Sequence, residues 1–136
     1  MGLPEIVVTE DDYRDLCALL EGAPAASQLA VDRLDLEIAR ARIVPTESVA
    51  ADVVTMGATV RVEELVTDTR RVVTLVYPGD ADADAGRISV LSPLGSALIG
   101  LRAGQIIEWA VPGRPRSRYR VAAVLAQPVR ARRDAV

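Results

Sequence analysis

Apolar residues in the N-terminal part of the chain recur at helical spacing. Over residues 11–21 they lie three and four positions apart, at Tyr13, Leu16, Cys17 and Leu20, which predicts an amphipathic helix. We expect Thr9 to cap this helix, with Asp12 as the acidic member of a capping box. A second helix is predicted over residues 27–43, after a turn at residues 22–24 and before Pro45. Two such helices form an antiparallel hairpin that must dock on the rest of the chain to be stable.

Beyond Pro45 the apolar residues alternate with polar ones, as in β-strands. This pattern predicts a hairpin of strands 59–63 and 71–77, followed by strands 87–91, 106–111 and 119–125. A short helix over residues 94–101 is expected after Ser92 and Pro93, which are typical of a helix N-terminus. The order predicts an α+β fold in which an antiparallel sheet packs on one short helix. We therefore expect a hairpin unit over residues 1–48 and a sheet unit over residues 49–136.

The composition excludes most side-chain catalysis. The 136 residues contain no histidine and no lysine, so all 16 basic side chains are arginine, and Cys17 is the single cysteine. A serine triad, a Walker A loop, a Schiff base, a zinc cage of thiolates and imidazoles, and an internal disulfide all require residues that are missing. We therefore expect a binding module without a cofactor; the alternative is an enzyme that acts through aspartate or glutamate and a hard metal ion. We expect Cys17 to serve core packing, and the chain to be cytoplasmic because it shows neither a membrane span nor a signal peptide.

Charge is distributed unevenly along the chain. Residues 1–52 have a net charge of −7 and residues 53–136 a net charge of +4. Alternate aspartates in the segment 80–86 resemble those of a calcium-binding loop. Their spacing relative to the glycine does not match such a loop, so a solvated acidic hairpin loop is favoured. Four arginines share one face of an extended segment, namely Arg114, Arg116, Arg118 and Arg120. They suit contact with an acidic surface better than with nucleic acid, because stacking aromatic residues are scarce.

The segment 87–105, which reads RISVLSPLGSALIGLRAGQ, resembles the signature of the Gre transcript-cleavage factor family. The segments 52–62 and 71–78 resemble more closely the Rnk branch, the regulators of nucleoside diphosphate kinase. The resemblance implies an N-terminal helical hairpin and a C-terminal domain similar to FK506-binding proteins. It also implies binding to RNA polymerase at the rim of the secondary channel, on the largest catalytic subunit. Ser92 and Pro93 match the docking loop of the family, so the resemblance implies that they contact polymerase.

The hairpin tip separates the functional alternatives. Metal-assisted RNA hydrolysis requires carboxylates at the tip, whereas residues 21–27 read EGAPAAS and offer only Glu21. The predicted second helix is about 25 Å long, which suits a hairpin that occupies the mouth of the channel and does not reach a site deep inside it. We therefore favour a regulator that competes with Gre factors and has no metal site and no enzymatic activity. One alternative is a Gre-like cleavage factor that uses Glu21 or Asp32. Another is a prolyl isomerase whose pocket uses Tyr77, Trp109 and Tyr119.

Overall fold

The computed structural model describes residues 4–109, 113 and 115–129. Its N-terminal part consists of strand β1 (Val7–Thr9), helix α1 (Glu10–Gly22), helix α2 (Gln28–Ala39) and strand β2 (Arg42–Val44). The first helix agrees with the prediction to within one residue at each end. The Thr9 hydroxyl caps it by accepting a hydrogen bond from the Asp12 N–H at 3.1 Å. The Asp12 carboxylate also accepts a hydrogen bond from the Met56 N–H at 3.0 Å, which ties the first turn of α1 to the segment before β3.

The second helix is shorter than predicted. It ends at Ala39 instead of residue 43, because Arg42–Val44 pairs in parallel with Val7–Thr9. The Arg42 N–H donates to the Ile6 carbonyl at 2.9 Å, and this pairing satisfies backbone groups that a longer helix would have used internally. The two-stranded sheet thus replaces the last helical turn.

The C-terminal part is a five-stranded sheet. Its strands are β3 (Thr59–Glu64), β4 (Thr69–Val76), β5 (Arg87–Ser89), β6 (Ile106–Trp109) and β7 (Ser117–Ala126), in the order β5-β4-β3-β7-β6. The predicted hairpin of β3 and β4 is confirmed, and its turn includes Asp68 with a positive φ of 55°. The prediction of a wholly antiparallel sheet is wrong, since β4 and β5 run parallel. The intervening segment carries the chain back along β4 through two short 3-10 turns, Pro78–Asp80 and Ala83–Ala85.

One hydrophobic core joins the helical and sheet parts. Helix α3 (Pro93–Leu98), three residues shorter than predicted at its C-terminal end, packs its buried face into this core. Leu16 of α1 and Leu34 of α2 are fully buried there together with Val60, Leu75 and Leu98. The docking expected of the short hairpin is therefore present. Within the described residues, no helix combines the length and the apolar character needed to cross a membrane.

Candidate functional site

The turn that leads into α3 is built around the Ser92 hydroxyl. Ser92 has extended backbone angles (φ −69°, ψ 158°) and is the N-cap residue of α3, with Pro93 as the first helical residue. The Ser92 Oγ accepts a hydrogen bond from the Gly95 N–H at 3.0 Å and donates one to the Ser89 carbonyl at 2.6 Å. The half-buried Ser92 thus has both hydrogen bonds inside the loop, while Pro93 is exposed. Ser92 and Pro93 are the two residues that resemble the docking loop of the Gre family. The Ser92 hydroxyl is used in hydrogen bonds within the loop, so Pro93 is the one of the two whose side chain is free to contact a partner.

Gly95 is required by a close backbone approach. A Cβ atom at this position would lie 2.0 Å from the Ser89 carbonyl oxygen, a separation that no side chain tolerates. Gly95 was not predicted to have a role, although a glycine inside a six-residue helix indicates close packing. Ser92, Pro93 and Gly95 together fix the path of the loop from β5 into α3.

The helical hairpin contacts this loop directly through Arg33. The Arg33 Nη2 donates to the Leu91 carbonyl at 3.3 Å across 58 residues of sequence. Its Nε is buried and has no hydrogen-bond partner within the described part of the chain. Sequence reasoning missed Arg33, because a lone arginine on an amphipathic helix is ordinarily solvated. The contact links the position of α2 to the shape of the loop that carries Pro93.

The hairpin tip lies where α1 ends and α2 begins. Glu21 is exposed, one residue before the end of α1, and the connection to α2 contains a 3-10 turn, Ala25–Ser27. The Asp32 carboxylate lies on α2 and accepts a hydrogen bond from the Gln28 Nε2 at 2.6 Å. Helix α2 has 12 residues and is about 18 Å long, so the expected length of about 25 Å is corrected. The described residues contain no group of three carboxylate, thiol or imidazole side chains placed to hold a metal.

A cavity of about 400 Å³ lies between the start of α1 and the end of β4, with Asp12 and Tyr77 among its lining residues. Burial raises the pKa of the Asp12 carboxyl, although the hydrogen bond from the Met56 N–H opposes this effect. Burial also raises the pKa of the Tyr77 phenol, whose hydroxyl has no partner in the described structure. Tyr119 packs against the core and does not line this cavity. The side chain of Trp109 is not among those that the structure describes. Of the aromatic residues proposed for an isomerase pocket, Tyr77 and Tyr119 are therefore not brought together in this cavity.

The arginine stripe forms ion pairs on the sheet. Arg116 and Arg118 lie 2.9 Å and 3.7 Å from the Glu108 carboxylate. Arg120 contacts both carboxylate oxygens of Glu63, at 3.2 Å and 3.3 Å, and Arg114 lies outside the described residues. The stripe is thus charge-compensated in part, and it belongs to the β6 and β7 region of the sheet.

Two further sequence features have local structural roles. The Asp82 carboxylate accepts hydrogen bonds from the Asp84 and Ala85 N–H groups and lies 3.5 Å from Arg87. This segment is exposed but joins two parallel strands, so the expected hairpin loop is a crossover instead. Cys17 is a half-buried free thiol, and a hydrogen bond between it and the Tyr13 hydroxyl raises the pKa of Tyr13. Cys17 therefore lies at the edge of the core and not in its centre.

Comparison with known proteins gives two adjoining family matches. The family described as "Transcription elongation factor, GreA/GreB, C-term" matches residues 49–126, and that described as "Rnk N-terminus" matches residues 4–44. The chain is 37% identical over 113 residues to the regulator of nucleoside diphosphate kinase of Escherichia coli K12, and the alignment covers 83% of each protein. It is 37% identical over 94 residues to the transcription elongation factor GreA of Rhodopseudomonas palustris strain TIE-1, covering 69% of this chain and 59% of that one.

The similarity extends to a solved structure. The chain superposes on a prokaryotic transcription elongation factor GreA/GreB from Nitrosomonas europaea with a TM-score of 0.71 and 39% identity. The superposition covers 90% of this chain and 99% of the other. At this coverage and TM-score the two chains share the same overall fold.

Proposed function

Because this chain belongs to the GreA/GreB family, in the branch that carries the Rnk N-terminus, we propose that it regulates transcription by binding RNA polymerase. It docks at the rim of the secondary channel, on the largest catalytic subunit, and competes there with Gre cleavage factors. The observation that carries this proposal is a short helical hairpin whose tip, Ala-Pro-Ala-Ala at residues 23–26, has no carboxylate. The hairpin packs on the sheet and contacts the loop from β5 into α3, the Ser92 loop, through Arg33.

The loop supports docking because it is rigid and exposes one apolar residue. The Ser92 cap and the close packing of Gly95 fix the loop backbone, and Arg33 holds the Leu91 carbonyl from the side of the hairpin. Pro93 projects from this frame with its side chain exposed. A rigid, exposed apolar residue binds with little loss of conformational entropy. Pro93 is therefore the proposed contact, and Ser92 positions it.

The hairpin supports a regulator without cleavage activity. Its helices have 13 and 12 residues, about 20 Å and 18 Å, so they reach the mouth of a channel and not its depth. Residues 23–26 are Ala-Pro-Ala-Ala around the turn and supply no side-chain oxygen to a catalytic cation. A second Mg²⁺ with an oriented water needs more than the single carboxylate of Glu21.

Glu21 also defines the competing function. Its carboxylate is exposed near the end of α1, which is where a cleavage factor would carry a ligand for the metal. A Gre-like cleavage factor would show magnesium-dependent shortening of a backtracked transcript, and Glu21→Ala would abolish it. The proposed regulator shows no shortening, with or without this substitution.

Docking is tested by capture of core RNA polymerase with immobilised protein. Pro93→Ala should lower the captured fraction several-fold. Pro78→Ala is the matched control, because Pro78 is also exposed and begins a 3-10 turn, and it should bind like the parent. Equal capture by all three proteins would remove Pro93 from the interface, and no capture by the parent would overturn the proposed function.

A further inference from the structure

The face of the five-stranded sheet that points away from the core carries arginines on neighbouring strands. Along β3, Val60 and Val62 are fully buried, whereas Arg61 points outward and is exposed. The pairing of β3 with β4 places Arg61 opposite Val72, and Glu63 opposite Arg70. Side chains directly opposite each other on antiparallel strands share one face. These four side chains line an open depression. No helix among the described residues covers the outer face of the sheet at this depression.

That depression has a volume of about 400 Å³ and is lined by Arg61, Glu63, Arg70, Arg71, Val72 and Ala122. The three arginines and the one glutamate give it a net positive charge. Glu63 is held by Arg120 from β7 and lies 3.6 Å from Arg70, so its charge is already shared between two guanidinium groups. In the described part of the chain, Arg61 forms no ion pair, although, beside the hydrogen bond from Arg120, its charge helps to lower the pKa of Glu63. Arg71 lies opposite the buried Val62, so Arg61 is the arginine without an ion pair on the outer face of these two strands. The Arg61 guanidinium group is therefore available to an external anion.

The surroundings favour carboxylates on a protein over a nucleic acid backbone. Val72, with 52% of its surface exposed, and Ala122 give the depression an aliphatic floor, and none of its lining residues is aromatic. Single-stranded nucleic acids bind through aromatic stacking along a uniformly basic groove, whereas this depression contains Glu63 and the chain as a whole is negative. An acidic peptide requires only local positive charge and a place for an aliphatic side chain.

We propose that this depression binds an acidic protein segment, with a carboxylate on Arg61 and an aliphatic side chain against Val72. The guanidinium fork suits carboxylates in bidentate geometry. No residue of the Ser92 loop lines the depression, so this surface does not depend on the proposed function. It is a second, chemically distinct interface on the same small protein.

Binding is tested with a fluorescein-labelled peptide of alternating glutamate and valine, followed by fluorescence anisotropy at about 0.1 M salt. Arg61→Glu reverses an exposed charge in the depression and should weaken binding by roughly fivefold or more. Arg42→Glu is the matched control, since Arg42 is an exposed arginine on β2, outside the five-stranded sheet. It makes the same change in net charge and should alter the affinity less than twofold, because screening limits charge effects to about 10 Å at 0.1 M salt.

Three results would overturn the proposal. The parent protein would fail to bind the peptide, or Arg61→Glu and Arg42→Glu would weaken binding equally. In the third, a length-matched oligouridylate would bind more tightly than the peptide, which would identify the surface as a nucleic acid site. Because Arg61 is exposed, unfolding of the variant is not expected, and circular dichroism of both variants checks it. Arg61→Gln, which removes the charge without reversing it, should give an intermediate loss.

Discussion

Replacing Ser92 by alanine should destabilise the fold, whereas replacing its neighbour Pro93 should chiefly affect binding. The Ser92 hydroxyl accepts from the Gly95 N–H at 3.0 Å and donates to the Ser89 carbonyl at 2.6 Å. Loss of an N-cap side chain costs about 1 kcal/mol, and loss of the second hydrogen bond adds roughly 0.5–1 kcal/mol. The Ser89 carbonyl keeps one partner, because the Ser92 N–H also donates to it at 3.0 Å. The expected total is therefore about 1.5–2 kcal/mol.

The assay separates stability from binding. Thermal unfolding followed by circular dichroism should show Ser92→Ala melting roughly 5 °C below the parent. Pro93→Ala should cost less than about 1 kcal/mol, since Pro93 is exposed and an alanine at the first helical position keeps the backbone path. Capture of polymerase, measured where both variants are folded, should fall more for Pro93→Ala. Unchanged melting of Ser92→Ala together with lost capture would refute the reasoning, because it would make Ser92 a contact and not a cap.

Three further outcomes follow from single positions. Gly95→Ala should lower the free energy of unfolding by roughly 2–3 kcal/mol or more, because its Cβ would lie 2.0 Å from the Ser89 carbonyl oxygen. It should therefore unfold at a distinctly lower urea concentration than the parent, and unchanged stability would show that the loop shifts freely. Burial raises the pKa of Asp12 above its ordinary value, so stability from this group is present at acid pH and lost as pH rises through the folded-state pKa. Asp12→Asn should flatten that part of the pH dependence of stability, and identical pH profiles of the parent and this variant would contradict the assignment. Asp12→Ala should in addition leave the Met56 N–H unpaired and lower the free energy of unfolding in urea by about 1–2 kcal/mol. Glu21→Ala should leave magnesium-dependent RNA cleavage absent, as in the parent, when a backtracked complex is analysed on a gel; cleavage by the parent that this substitution abolishes would favour the cleavage factor.

Local sequence patterns predicted the elements that depend on local chemistry. Alternation of apolar and polar residues located β3 and β4, and Thr9 located the start of α1, because these signals act within a few residues. The end of α2 could not be predicted in this way. Residues 42–44 leave the helix to pair with β1, and nothing near them in the sequence indicates that distant partner. The parallel pairing of β5 with β4 is likewise a tertiary choice.

The candidate site was predictable only in part. Resemblance to a family predicted Ser92 and Pro93 as contacts, and this remains a prediction; the resemblance could not separate the capping role of Ser92 from the exposure of Pro93. Arg33 reaches Leu91 from 58 positions away, and such a contact has no sequence signal. The positive depression at Arg61 combines neighbouring strands of the sheet, so it became visible only when their register was known.

Competition with a Gre factor for polymerase tests the account most directly. Cleavage of a backtracked transcript, stimulated by a Gre factor, is measured at a fixed concentration of this protein while the Gre concentration is raised. Shared docking requires that inhibition fade as the factor increases, by mass action, and that Pro93→Ala inhibit less than Pro78→Ala. Inhibition that stays constant at every Gre concentration would contradict the account, because it would place this protein at another site or on the RNA itself.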